Sequence, residues 1–306
     1  IIFYRLTKDL SDYILGGRKL GGAVAALSAG ASDMSGWLLL GLPGAMYAAG
    51  MNQAWIAIGL TVGAYLNWQF VARRLRRFTE LANDSITLPD YLENRFADRS
   101  RALRVVSAVV DLTFSAIYTS SGLVAGATLF EKSFGLDYTW ALIIGAAVIM
   151  SYTFLGGFMA VSWTDFFQGL LMFLALIVVP FIAIDSVGGW GKTVATVDAM
   201  QATRIDIFAE TTFLGIVSLV AWGLGYFGQP HILARFMAIK NENEVPKARL
   251  IGMTWMILSL YGAIFTGFAG IAYFKDNPLE NSETVFIALT QALFNPWIAG
   301  VLLAAI

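Results

Sequence analysis

The sequence has 306 residues, 58% hydrophobic and 13% charged, with a mean hydropathy of +0.68, a balance that excludes a soluble domain and describes an integral membrane protein. A net charge of −1 offers no basic surface for nucleic acid, and the absence of cysteine excludes disulfide and thiol chemistry. The chain opens on Ile1 and closes within an apolar run at Ile306, which leads us to expect a piece cut at both ends, from which no signal peptide can be read.

In chain order, residues 1–6 read as the tail of an earlier helix and 7–21 as a polar loop carrying Lys8, Arg18 and Lys19. Spans of about twenty apolar residues are expected near 22–49, 54–72, 101–130, 138–155, 162–184, 211–237 and 248–274, with another beginning near 295. Loops fall at 73–100, 185–210 and 275–294, with a short turn at Gly156 and Gly157. Within the first, Thr87-Leu88-Pro89-Asp90 carries a helix-start signature, a capping hydroxyl followed by an early Pro and an acid, and predicts a surface helix through Phe96. The stretch 188–206 is expected to form a lid helix. Alternating the spans leaves Lys132, Lys192, Arg204 and Lys275 alone on one side and every other Lys and Arg on the other. The positive-inside rule therefore puts 1–20, 73–100 and 238–248 in the cytoplasm, with Arg73, Arg74, Arg76 and Arg77 as a topology anchor or a contact for anionic membrane lipid.

Two of these spans are interrupted. In Ala26 to Gly44 an otherwise apolar segment carries Asp33 among Gly30, Ala31, Ser32, Ser35 and Gly36. An ionisable group at membrane depth is a functional candidate, and the small residues around it let the helix unwind. Unwinding exposes carbonyls that suit a cation and amides that suit a carboxylate. The plainer alternative is that Asp33 caps a short helix and the glycines serve close packing. The second interruption is Trp222-Gly223-Leu224-Gly225-Tyr226-Phe227-Gly228-Gln229-Pro230-His231. Counting spans, the two interruptions are offset by five helices, an odd number, so their helices are expected to run in opposite directions. Five-helix inverted repeats that each open with a broken helix point to a secondary transporter.

Asp12-Tyr13-Ile14-Leu15-Gly16-Gly17-Arg18, the run from Ala26 to Gly44, Gly156 through Asp165 and Gly223 through Phe236 resemble the sodium/solute symporter family along essentially the whole chain. The resemblance implies an all-α, leucine-transporter-like five-plus-five inverted repeat with one extra helix in front, truncated here at both ends. It is a single transporter domain over 1–306, with the first repeat at about 22–184 and the second, incomplete, from about 211. It implies sodium-coupled uptake of L-proline by alternating access across a bacterial cytoplasmic membrane. Another small solute such as a sugar or pantothenate, or a non-transporting sensor on the same scaffold, is the alternative.

Residue by residue, the resemblance assigns sodium to the Asp33 carboxylate and the carbonyls of Ala31 and Met34, with Asp165 along the ion's exit route or else an ordinary membrane-edge acid. The rest of the sodium shell is expected from hydroxyl residues after Ile306. For the solute it selects Trp37, Tyr118, Trp222, Tyr226, Gln229 and Pro230, with Ser35 and Gly36 beside them; Trp37 could equally serve packing. An imino acid would bring a ring for aromatic walls, an ammonium for a ring face and a carboxylate for helix amides or a Tyr hydroxyl. Asp111 shares a helix face with Tyr118, seven positions on, and is expected to line the pathway or pair with a buried polar group. His231, the single histidine, is given a minor role, and Arg235 is read as marking its helix's cytoplasmic end. An enzyme is not expected, for no span carries two acids at ligand spacing. A channel would share the same scaffold.

Overall fold

The computed structural model describes residues 7–306; the expected helix tail at 1–6 lies outside the described residues. Every regular element described is helical, and the strand-like pairing among them is an isolated bridge between Leu20 and Ile239. Four helices are long and apolar enough to cross a bilayer, or six if each of two bent pairs is one span.

The stretch expected as a loop at 7–21 holds a helix, α1 (Leu10–Leu15). Asp9 caps it by accepting the Asp12 N–H at 2.8 Å, and Gly16, at φ 63°, ends it. The first bent pair is α2 (Gly22–Met34), continued by a 3₁₀ turn, Ser35–Leu38, and α3 (Gly41–Ala49), the two legs lying at 44° to one another. Next, α4 (Ala54–Asn67) passes through a π-type turn, Trp68–Ala72, into α5 (Arg73–Leu81). The helix therefore continues where the sequence suggested a loop from 73. Arg, Leu and Glu are good helix formers, and α5 buries Leu75, Arg76 and Thr79 on one side. The surface helix α6 (Leu88–Phe96) stands as expected, with Thr87 Oγ1 accepting the Asp90 N–H at 3.2 Å.

After α7 (Ala102–Phe134), helical structure runs from Tyr138 to Val187 as α8, two helices merged across a kink at Gly157 (φ 57°, ψ −159°). Its second leg lies along α2, Gly169 being close to Ala31 and Leu27. At the kink, Tyr13 Oη donates to the Phe154 carbonyl at 3.1 Å, and a side chain on Gly157 would meet the Tyr13 backbone. The stretch proposed as a lid contains α9 (Trp190–Met200). The second bent pair is α10 (Phe213–Val220), continued by a 3₁₀ segment, Ala221–Phe227, and α11 (Pro230–Ala238), the two legs lying at 42° across Gly228 and Gln229. The central helix is α12 (Val245–Tyr273), most of whose span is buried. The loop expected at 275–294 instead contains α13 (Val285–Leu293), ahead of α14 (Pro296–Leu303). At 9 residues α13 is too short to cross a bilayer and so gives no span signal, yet it buries Phe286, Ile287 and Leu289.

The core is the contact of α2, α12 and the second leg of α8. Gly262 of α12 lies directly on the Leu176 carbonyl, and Trp255 donates from Nε1 to the Gly169 carbonyl at 2.7 Å. By contrast α7 exposes Val105, Val109, Leu112, Phe114 and Ile117, a surface suited to hydrocarbon rather than water.

At the arginine-rich end the two bent helices are tied together. Leu20 donates from its backbone to Ala238 at 3.1 Å, and Lys240 donates back to Leu20 at 2.9 Å. Arg18 donates to the Met237 carbonyl at 2.9 Å, the Ser85 carbonyl at 2.8 Å and Asp84 at 2.8 Å, while Arg76 donates to the Ile239 carbonyl at 2.5 Å. Beside them the Lys19 ammonium hydrogen-bonds Asp12 at 2.9 Å and holds its carboxyl below the ordinary value.

Candidate functional site where two broken helices meet

The first break is later than the small residues suggested, running from Ser35 through a 3₁₀ turn, Ser35–Leu38, to the bend at Leu39 and Leu40. Gly30 remains helical within α2, and its missing side chain makes room for the Trp255 ring, which an added Cβ would approach to 2.7 Å. The break opens at Ser35, with φ 44° and ψ −156°, a conformation that a non-glycine residue adopts only under strain. Asp33 is thus in the last turn of α2, its side chain 7% exposed. The Ser35 N–H donates to the Ala31 carbonyl, which keeps its second lone pair. Tyr118 of α7 donates its hydroxyl to the Ser32 carbonyl and, at 3.2 Å, to the Asp33 carbonyl. Gly36 lets α7 approach, an added Cβ meeting Ala125 at 2.9 Å.

The second break is spread over seven residues of 3₁₀ helix and an extended Gln229 (φ −76°, ψ 113°). Pro230 then starts α11, where its missing N–H costs nothing. Trp222 and Tyr226 would share a face on an α-helix, but 3₁₀ winding of about 120° per residue separates them. Trp222 is 51% exposed and stacks on Trp37 at 5.6 Å between ring centroids, so the two breaks touch at these rings with no room for a solute between them. Tyr226 is buried, with its hydroxyl 4.0 Å from the Met256 sulfur. Gln229 has its Oε1 buried without a hydrogen-bond partner.

Several residues that sequence reasoning missed hold these breaks in place. Asn67 of α4, fully buried, donates from Nδ2 to the Tyr226 carbonyl at 2.7 Å, occupying an acceptor in the 3₁₀ segment. One and two turns earlier on the same face, Gly59 and Gly63 lie against the Val220 and Gly223 carbonyls with no space for a Cβ. A Gly-x-x-x-Gly-x-x-x-Asn spacing in an apolar span was the available signal. Arg235, which lies in the last turn of α11 as its reading as an end marker expects, is also buried. It donates to Asp165 Oδ2 at 2.8 Å, to Ser28 Oγ at 2.9 Å and to the His231 carbonyl at 2.7 Å, while Ser28 donates to Asp165 at 2.7 Å. Asp165 is therefore a paired acid bridging α2, α8 and α11. Asp111 has one carboxylate oxygen buried and without a hydrogen bond.

The arrangement offers a hard cation a carboxylate and carbonyl oxygens at the first break, and offers an organic solute aromatic faces from both. The described residues contain no group of three or more His, Cys or acidic side chains of the kind that holds a transition metal, whereas sodium is served by oxygens alone. A cavity of about 500 Å³ between α7, α13 and α14 is mostly apolar, and no residue of either break lines it.

Comparisons with known proteins bear on this geometry. The model of the sodium:solute symporter family matches residues 13–306. A sodium/proline symporter of Escherichia coli (strain K12) is 57% identical over 311 residues, covering 100% of this chain and 62% of that protein. A high-affinity proline transporter of Bacillus subtilis (strain 168) is 54% identical, covering 99% of this chain and 64% of that protein. The chain thus spans less than two thirds of the length of these curated relatives. Among solved structures, a substrate-bound, outward-open sodium-coupled sialic acid symporter superposes with a TM-score of 0.86 at 19% identity, covering 100% of this chain and 66% of that one, a likeness of fold.

Proposed function

The chain belongs to the sodium:solute symporter family, and from that premise we propose that it serves sodium-coupled uptake of L-proline across a bacterial cytoplasmic membrane by alternating access. A multi-pass transporter, not an enzyme, is what the family and the apolar helices describe. The choice of proline is supported by the proline transporters among its relatives.

The observation that carries the ion site is Asp33, a carboxylate 7% exposed, two residues before the strained Ser35 and facing the second break. A carboxylate withdrawn from water is stable only with a cation or donors around it. In this reading Asp33 and the carbonyls of Ala31 and Met34 hold sodium, and Asp165 lies on its route to the cytoplasm. Proline sits beside the Trp37 and Trp222 stack, bordered by Ser35, Gly36, Tyr118, Tyr226, Gln229 and Pro230. The two bent helices open inverted repeats of five, the first over about 22–184 and the second from about 211. The tied, arginine-rich end is the cytoplasmic one, with Arg74 and Arg77 against anionic lipid. Uptake of labelled proline by vesicles holding the reconstituted protein, driven only by an imposed sodium gradient, tests this. Accumulation above the outside concentration is expected; mere equilibration, or indifference to sodium, would reject it.

A further inference from the structure

His231 follows Pro230 at the start of α11, on the second break, but its side chain belongs to the first. Its Nε2 lies 3.5 Å from Asp33 Oδ1, and that nitrogen is buried without a hydrogen-bond partner. Its ring stacks on Tyr118 at 4.5 Å between centroids and 17° between planes, and Tyr118 is the residue whose hydroxyl holds the Ser32 and Asp33 carbonyls. The His231 carbonyl in turn accepts from Arg235 at 2.7 Å, which fixes the imidazole's end of α11 to the pair with Asp165. One side chain therefore touches both the carboxylate and the aromatic clasp of the first break while riding on the helix of the second.

A buried ring nitrogen without a partner is costly, and 3.5 Å is a few tenths of an ångström beyond ordinary hydrogen-bond length, a gap that a small shift of either helix closes. We propose that His231 is the positioning residue of the ion site: it donates from Nε2 to Asp33 Oδ1, turning the other carboxylate oxygen toward the ion. Its ring face meanwhile keeps Tyr118 on the α2 carbonyls. A movement of the second break on taking up solute is then felt directly at the ion's ligand. This rests on the reading of Asp33 as the sodium carboxylate.

Two substitutions separate the two contacts. His231→Phe keeps a ring against Tyr118 and removes the donor; His231→Gln supplies a donor without the ring. Two quantities are measured on the reconstituted protein: the sodium concentration for half-maximal proline binding, and the rise in melting temperature produced by sodium without proline. His231→Phe is expected to raise the half-maximal sodium concentration about tenfold, the scale of one hydrogen bond to a charged group, and to diminish the sodium-induced shift. Proline affinity at saturating sodium should stay within about twofold, because saturating one linked ligand removes its contribution to the other's apparent affinity. His231→Gln should recover at least about half of the lost sodium response on a logarithmic scale. Unchanged sodium dependence in His231→Phe, or equal losses for sodium and proline, overturns the proposal. If the Phe variant does not fold, a tenfold loss of sodium response in a folded His231→Gln overturns it as well. If unsubstituted protein shows no sodium response at all, the reading of Asp33 itself fails, an outcome visible before any variant is made.

Discussion

The two breaks turn their helices through nearly the same angle, 44° and 42°, by different means. At the first, Ser35 ends α2 in a strained conformation, a single 3₁₀ turn, Ser35–Leu38, follows, and the bend falls at Leu39 and Leu40. At the second, a longer 3₁₀ segment, Ala221–Phe227, continues α10 and settles on α4 through glycines, and the bend falls at Gly228 and an extended Gln229. The shorter interruption keeps the oxygens of one helix end together, which suits the small ion proposed there. The longer one presents side chains in several directions, which suits the organic solute proposed there. In both, a polar side chain from a neighbouring helix holds freed carbonyls: Tyr118 for Ser32 and Asp33, Asn67 for Tyr226.

The contrast is broken most severely at the seat of the second break. Gly63→Val drives a branched side chain into the Gly223 carbonyl; with overpacking costs of about 1–3 kcal/mol or more, we expect a lower melting temperature and little folded protein in the membrane. Next is Asp33→Asn, which keeps the shape of the first break while removing its charge. The sodium concentration for half-maximal proline uptake should rise at least about tenfold, equivalent to about 1.4 kcal/mol, while membrane insertion stays normal. Normal uptake at low sodium would remove the ion from this break. The contact between the breaks is sharpened by a double-mutant cycle on Trp37→Ala and Trp222→Ala, read as proline affinity and as melting temperature. If the stack bears on both states, the coupling should be about 0.5–1.5 kcal/mol in stability. A zero coupling would make the two rings independent. The smallest effect is expected for Ser35→Gly, which relieves a strain of order 1–3 kcal/mol but adds unfolded-chain entropy of roughly 0.5–1 kcal/mol. The melting temperature should rise slightly; a marked fall would show that the Ser35 side chain, not its backbone, matters at the first break.

Much of this architecture was legible along the chain. The two breaks were visible because Ser, Gly, Pro and an acid inside an apolar span conflict with a continuous helix, and the α6 cap was visible because it is a local hydrogen bond between Thr87 and Asp90. Short helices were not: α1 and α13 carry too few apolar residues in a row to stand out from their loops, and they exist because neighbours bury them. Nor could the chain order reveal that Trp222 and Tyr226 diverge, since that depends on 3₁₀ rather than α winding.

By itself, then, the sequence determined what each segment must do to satisfy its own backbone and to meet lipid or water: the apolar spans and the places where helices give way. Those are properties of apolar length and local hydrogen bonding, all short in range. The tertiary structure alone decided which distant groups share a site. His231 lies against Asp33, Arg235 closes on Asp165 and Ser28, and Asn67 takes the Tyr226 carbonyl. Each of these pairs spans tens to hundreds of residues in sequence and a few ångströms in space. What joins them is the close packing of glycine faces on α4 and α12, because in an apolar medium buried polar groups must find partners wherever the helices bring them together.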